Sequence, residues 1–264
     1  VPGREYTMND LIKINLARVF EVAFAEYWDS TGPRSVAGLW SVFADHLRHV
    51  VEVIARGIDY HMEHMHEVFP ELVMDLLCHG PIERGLDVAN GGVDLYNIGV
   101  DAAGLSVAAD SFAALEQRVE KERSVTWDRI GELITTDWDG HEGETARLLM
   151  KQVPRYGVGG TLADDFAVRV SSLFTRLVTE TSTPAGYRMI PGLFSWALAP
   201  YFGGIMGATP DGRRAGDPIA HGSNPSPGFS EDGASTAIAR AVAAVQPGYG
   251  QTAPLQLDFD PGLS

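Results

Sequence analysis

A chain of 264 residues with 45% hydrophobic side chains can bury a large core, as one big domain or two ordinary ones. Twenty Lys and Arg against thirty-five Asp and Glu leave a net charge of -15, which opposes binding to nucleic-acid phosphates or anionic lipid. One cysteine, Cys78, excludes an internal disulfide framework and a zinc ribbon, and no apolar run reaches the length of a bilayer span or of a leader-peptide core, so the chain reads as cytoplasmic.

In chain order, Thr7 and Asp10 are spaced as a capping box, which predicts a helix over the almost uniformly apolar LIKINLARVFEVAFAEYW. A second helix starts near Ser35, where Val36, Leu39, Trp40, Phe43, Leu47, Val50, Val51, Ile54, Ile58 and Met62 keep the helical period, with a charged opposite face. A shorter helix follows Pro70 to Leu77, and the glycine-rich DVANGGVDLYNIGV has strand character from Val93 to Ile98. Helices fit Ala109 to Glu122, Thr126 to Thr136 and Glu142 to Gln152. The capping box Thr161/Asp164 opens another helix, with Leu162, Phe166, Val170, Leu173 and Leu177 on one face.

From Pro184 to Phe229 the helical period gives way to short strands and turns; a small-residue helix, Ala234 to Val245, precedes a final strand, Leu255 to Phe259. No repeat or low-complexity linker marks a domain boundary. The pattern is of helices wrapped around a few strands contributed from scattered places. Val1 to Tyr6 reads as the tail of a loop and the last strand as cut off from its continuation, so the chain is expected to be an internal piece of a larger product.

Several local constellations have a structural explanation. His61, His64 and His66 could share a metal, the basis for a metal-dependent hydrolase, but the spacing is not that of two His one turn apart around a general-base Glu, and the cluster ends a long amphipathic helix. Asp137 to Glu142 begins like a calcium loop, yet its twelfth position is Leu148. Gly157-Val158-Gly159-Gly160-Thr161 could offer amides to a phosphate, but it lacks a following Lys and reads as the start of a helix. Cys78 follows Leu76 and Leu77 without a basic neighbour, as expected of a small buried side chain. A non-catalytic helical interaction module stays open beside the hydrolase.

The stretch ATPDGRRAGDPIAHGSNPSPGF, Ala208 to Phe229, is built for rigidity. Pro210, Pro218, Pro225 and Pro227 fix φ, the interspersed glycines permit tight turns, and Arg213 and Arg214 can each bridge several carbonyls or a carboxylate. This reads as a buried structural clamp. Together with IERGLDVANGGVDLYN, GLSVAADSFAALEQRV, VPRYG and PGLFSWA, in that family's order, ATPDGRRAGDP resembles the glycyl radical enzymes of the pyruvate formate-lyase, glycerol dehydratase and choline lyase type.

The resemblance runs over residues 1–264 and implies an α/β fold: part of a ten-stranded barrel surrounded by helices. It implies radical cleavage of a C–O, C–N or C–C bond in a small polar substrate, by a dehydratase, a lyase or a formate acetyltransferase, in anaerobic metabolism. The thiyl-forming Cys-x-Glu loop and the C-terminal glycyl radical domain would lie outside this chain, which alone would be inactive. Cys78 matches a helical position and not the reactive one. No catalytic or metal-binding residue and no bound cofactor are expected here; the radical would be installed by a radical SAM activating enzyme, and the intact enzyme would be a homodimer.

By the same resemblance, Asn9, Asp10 and Lys13 match substrate-contacting positions, with Asn9 and Lys13 one turn apart if this segment is helical. Asp10 matches an aspartate that holds a substrate hydroxyl, although the same carboxylate could complete the cap with Thr7. Tyr96 and Phe194, on predicted strands, are further candidates for lining the cavity. The chain departs from the common family phrase Pro-Leu-Ala-Asp-Gly in having Pro218-Ile219-Ala220-His221-Gly222, which leaves subfamily and substrate open.

Overall fold

The β-branched and aromatic residues Tyr6, Thr7, Ile12 and Ile14 favour extended backbone, and the first element is a strand, β1 (Glu5–Asn15), where a helix was expected. The structure, a computed structural model, describes residues 4–229, 234–245 and 253–254. Helix α1 (Leu16–Asp29) starts only after Asn15, whose side chain accepts a hydrogen bond from the Arg18 amide. The Thr7/Asp10 capping box is therefore corrected, and Asn9 and Lys13 sit on a strand and not one helical turn apart. The apolar run has two causes: Ile12 and Ile14 belong to a strand, and Leu16, Val19, Phe20, Ala23 and Phe24 to the buried face of a helix.

Strand β2 (Leu95–Ala103) extends beyond its predicted end at Ile98, and β3 (Arg188–Leu193) falls in the region expected to hold short strands. The three pair in parallel in the order β1-β2-β3, with a register shift in β1 between Met8 and Ile12. Parallel neighbours need long crossovers. The first crossover contains α1, α2 (Val36–Val68), α3 (Leu72–Leu77) and α4 (Pro81–Arg84); the second contains α5 (Leu105–Ala114), α6 (Trp127–Thr135), α7 (Gly140–Lys151) and α8 (Leu162–Glu180). Helices α9 (Ala199–Gly204) and α10 (Ala234–Val245) follow β3. The chain is thus α/β, helix-rich, with a parallel sheet. The strand predicted over Leu255 to Phe259 lies outside the described residues.

Ile14, Ile98, Val100 and Ala102 alternate onto the sheet face that joins the main core. Every residue of α5 is buried, and its Phe112 is the aromatic centre of that core. Its ring lies 4.8 Å from Phe20 and 5.5 Å from Phe43, both edge-on, 5.2 Å from the stacked Phe166, and 5.4 Å from Trp40. Helix α2 buries Leu39, Phe43, Leu47, Val51, Ile58 and Met62 along the expected stripe.

The Thr161/Asp164 box forms as predicted, and Asp164 does more than cap. Its carboxylate accepts from the amides of Gly157 and Gly159 at 2.8 Å and Thr161 at 3.0 Å, and from the Thr161 hydroxyl at 2.7 Å. The glycine run is thereby closed by its own chain. On α2, His64 stacks on Tyr60 at 4.4 Å, and the described residues hold no group of three or more His, Cys, Asp and Glu able to share a metal. No helix among the described residues is long and apolar enough to cross a membrane.

The TPDGRRAG stretch is a clamp. Arg213 donates to the carbonyls of Gly207, Arg214 and Gly203, and its own carbonyl accepts from the Trp138 indole at 3.2 Å. Arg214 ties the loop to Asp137 and Glu144 at the start of α7. Below them Arg155 reaches Asp110 and Asp211, each at 3.2 Å, while Asp110 also accepts from the Tyr156 amide and the Ser226 hydroxyl. Burial pushes the Asp110 carboxyl up to about 6, against the pull of Arg155 and with the push of Asp211.

Two outcomes follow from this packing. Phe112→Ala leaves a cavity amid four aromatic rings and is expected to cost about 3–5 kcal/mol of stability, read by denaturant melts; a loss under about 1 kcal/mol would show that the core does not depend on this ring. Because the folded carboxyl of Asp110 lies above its unfolded value, the native state binds the extra proton in between. Stability relative to Asp110→Asn should therefore fall as pH rises from about 4 to about 6 and stay level above, whatever constant offset the amide introduces. A pH-independent difference between the two proteins across that range contradicts the assignment.

Candidate active site at the strand ends

In open parallel sheets, ligands bind beyond the carboxyl ends of the strands. Here β1, β2 and β3 end together, and their register places Lys13 beside Asp101 and Asp101 beside Gly192 in one row. Paired residues in a ladder share a face, so Lys13 and Asp101 point away from the helix-covered side that holds Ile14, Val100 and Ala102. The glycine adds no side chain to this row.

Lys13 Nζ lies 2.7 Å from Asp101 Oδ2, with the two side chains 8% and 0% exposed. The same ammonium sits 4.6 Å from the centroid of Phe194, just past the end of β3. Phe194 meets Trp196 edge-on at 5.8 Å and His221 at 5.5 Å. The next residue, Ser195, is fully buried, and its hydroxyl is 2.7 Å from His221 Nδ1. Burial pushes the imidazole of His221 below its usual range, opposed by a hydrogen bond to the Trp196 backbone. Trp196 itself takes a left-handed backbone, φ 49°, and is 66% exposed.

The turn into α5 holds this end of the sheet closed. Gly104 adopts φ 77°, and a side chain there would meet Ala17 at 2.8 Å. Ala17, Ala103 and Val107 pack with Met206 and with Ile219 of the clamp into a small second core, so the rigid loop is seated against the strand ends. Asn15 adds bonds to the Phe202 carbonyl and Met206 sulfur while capping α1.

Lys13 and Phe194 of the predicted site residues are thus brought together. Asn9 and Asp10 lie on β1 at its register shift, and their side chains are outside the described residues. Tyr96 is not brought to this cluster: it is five residues before Asp101, about 16 Å along the strand, on the other face. There its hydroxyl accepts from the Gly91 amide at 2.7 Å and its ring meets Tyr187. Cys78 is half-buried, its sulfur 4.0 Å from the Glu5 carbonyl at the far end of β1, so it is not a nucleophile for this site.

Sequence reasoning missed Asp101, whose partner is 88 residues away. The only signal was an acidic residue inside the alternating GVDAA. Ser195 and His221 were missed as a pair, although His221 stood out as a departure from the family phrase. A cavity of about 370 Å³ lies elsewhere, beside the clamp, where Arg155 and Arg213 are already engaged with Asp211 and loop carbonyls.

The comparisons agree with this architecture. The family model described as Pyruvate formate lyase-like matches residues 1–203. The trans-4-hydroxy-L-proline dehydratase of Clostridioides difficile is 23% identical over 213 residues, 81% of this chain and 27% of that protein. The formate acetyltransferase of Haemophilus influenzae is 32% identical over 137 residues, 50% of this chain and 17% of the relative. Among solved structures, a glycyl radical enzyme from Archaeoglobus fulgidus superposes with a TM-score of 0.82 at 25% identity, covering 92% of this chain and 32% of that one. The B12-independent glycerol dehydratase of Clostridium butyricum, at 23% identity and a TM-score of 0.77 over 88% of this chain and 30% of that one, shares the fold. The chain spans about a third or less of the relatives it matches. With most of its length matched by the family model, it belongs to the pyruvate formate lyase-like family of glycyl radical enzymes.

Proposed function

We propose that this chain is part of a glycyl radical dehydratase or lyase that breaks a C–O, C–N or C–C bond in a small polar substrate, with formate acetyltransferase chemistry as the second reading within the family. The observation that carries the proposal is the buried Lys13–Asp101 pair against Phe194 at the common end of the three strands. Names among the relatives support it: besides the hydroxyproline dehydratase they include a (2S)-3-sulfopropanediol dehydratase and an isethionate sulfite-lyase. The sheet would be one section of the family's ten-stranded barrel, in a cytoplasmic homodimer activated anaerobically by a radical SAM enzyme.

In this reading the radical, carried by residues outside the chain, supplies hydrogen abstraction from the substrate. The chain's own residues bind and orient. The Lys13 ammonium donates hydrogen bonds to a substrate oxygen or anionic group, while Asp101 keeps that ammonium in place. Phe194 forms an apolar wall that excludes water from one side. Asn9 and Asp10, on the same strand, complete the polar side, with Asp10 accepting from a substrate hydroxyl; holding that hydroxyl fixes which C–H bond faces the hydrogen acceptor. Tyr96 would line only a cavity that reached the opposite strand end.

A metal-dependent hydrolase has less support, since the described residues offer no metal cluster around His61, His64 and His66. An autonomous interaction module is disfavoured by the exposed apolar side chains of Val68, Phe69, Leu72, Val73, Leu76 and Leu77, close together in sequence at the end of α2 and in α3.

The test is turnover by the full-length protein after anaerobic activation, on glycerol, 1,2-propanediol, trans-4-hydroxy-L-proline, sulfopropanediol and isethionate. On whichever is consumed, Lys13→Gln should lower kcat/KM by about 100-fold, the size expected for losing a charge-assisted hydrogen bond. Asp10→Asn should lower turnover by about 10-fold or more with little change in melting temperature. Normal kinetics in both variants would remove these residues from the site, and a protein that forms no radical on activation would remove the enzyme reading itself.

A further inference from the structure

The exit of β3 is held in an unusual way. Phe194, Ser195 and Trp196 follow the last ladder pair in succession, and Trp196 is a non-glycine residue in the left-handed region. Such a backbone persists only when its surroundings fix it. The two residues before it, Phe194 and Ser195, are both engaged by one side chain. His221, delivered by the proline-braced loop, pairs with the Ser195 hydroxyl at 2.7 Å and sets its ring edge-on to Phe194 at 5.5 Å. Phe194 in turn lies 4.6 Å from the Lys13 ammonium. A contact chain thus runs from His221 through Phe194 to the Lys13–Asp101 pair.

We propose that His221 is a positioning residue and sets substrate specificity. By pairing with Ser195 and packing edge-on against Phe194 just past the end of β3, it fixes Phe194 against Lys13. The distance between the Lys13 ammonium and the aromatic wall is thereby set, and with it the size of polar group that the ammonium can hold. The inference rests on reading the strand ends as the substrate cavity. An imidazole suits the role because a ring nitrogen can bond the Ser195 hydroxyl while the ring packs against an aromatic neighbour. The neighbouring clamp makes this geometry reproducible: Ile219 and Ala220, just before His221, are buried, and Ile219 packs on Ala17, Ala103 and Val107.

Two measurements on the full-length protein separate this inference from the activity it rests on. The first needs no substrate. Reductive methylation of Lys13, quantified by peptide mapping against the 55% exposed Lys121, reports how well Phe194 covers the ammonium. His221→Ala should raise the relative rate at Lys13 by about fivefold or more; His221→Asn, whose amide can replace Nδ1 on Ser195, should restore it to within about twofold. The second is steady-state kinetics of the activated enzyme on a consumed substrate. There His221→Ala should raise KM about tenfold with kcat changed by less than about threefold, again rescued by Asn, and with the radical signal unaltered.

The inference is overturned if Lys13 labels alike in wild type and His221→Ala, if Asn fails to rescue, or if melting temperature falls while labelling and KM do not move. A purely structural role would produce that last pattern. Should the wild type consume none of the compounds tried, the functional reading suffers and the labelling result still decides the role of His221.

Discussion

Parallel pairing of β1, β2 and β3 is the constraint from which the rest of this structure follows. Parallel strands cannot be joined by tight turns, so each pairing requires the chain to return along its full length. The return segments here are helices, and they must bury one face of the sheet. That requirement accounts for the helical abundance and for α5 being buried at every residue. It also gathers all three strand ends at one edge, where backbone direction and not sequence proximity decides which side chains meet. Lys13, Asp101 and Phe194 become neighbours although 181 residues separate the first from the last.

Burying charge at that edge demands compensation. A lysine side chain 8% exposed would be strongly unfavourable alone, and the Asp101 carboxylate at 2.7 Å, with the Phe194 ring beside it, supplies the counter-charge and a polarisable neighbour. Such pairs add little net stability compared with apolar packing, which favours a functional reason for keeping one at the end of a sheet. A pair of this kind also needs a rigid frame, because a small displacement leaves two charges buried apart. The second core of Ala17, Ala103, Val107, Met206 and Ile219 provides that frame by seating the clamp on the strand ends.

Much of this was legible in the sequence. The long stripe of α2 and the Thr161/Asp164 cap of α8 depend on neighbours within a turn or two, so local pattern sufficed. The clamp was legible for a similar reason: prolines, glycines and paired arginines state their conformational purpose in one segment. The start of the chain was misread because Thr7 and Asp10 have the spacing of a cap, and because the apolar residues of a strand and a helix run together without punctuation. Asn15, the real cap, carries no apolar break before it. Helix α5 starts at Leu105, earlier than Ala109, since small residues give the helical period little contrast and the decisive signal is the left-handed Gly104. Asp101 and the Ser195–His221 contact depend on partners 88 and 26 residues away, which no local window contains.

The charged groups of the clamp and of the strand ends also differ in chemistry. The clamp uses arginine. A planar fork of donors can satisfy several carbonyls and carboxylates at once, and Arg213, Arg214 and Arg155 all do so, which rigidifies the loop. The strand ends use lysine, a compact ammonium whose three donors rotate together on a flexible stem. Substituting arginine for Lys13 would bring a larger planar group into the space between Asp101 and Phe194, while lysine in place of Arg213 could not span the carbonyls of Gly203, Gly207 and Arg214 together. A fixed scaffold calls for the first chemistry, and the proposed contact with a substrate group would call for the second. The residue types at these positions therefore divide the same way as the geometry does: the clamp binds the protein to itself through several bonds per arginine, and the strand ends hold a lysine between a carboxylate and an aromatic ring.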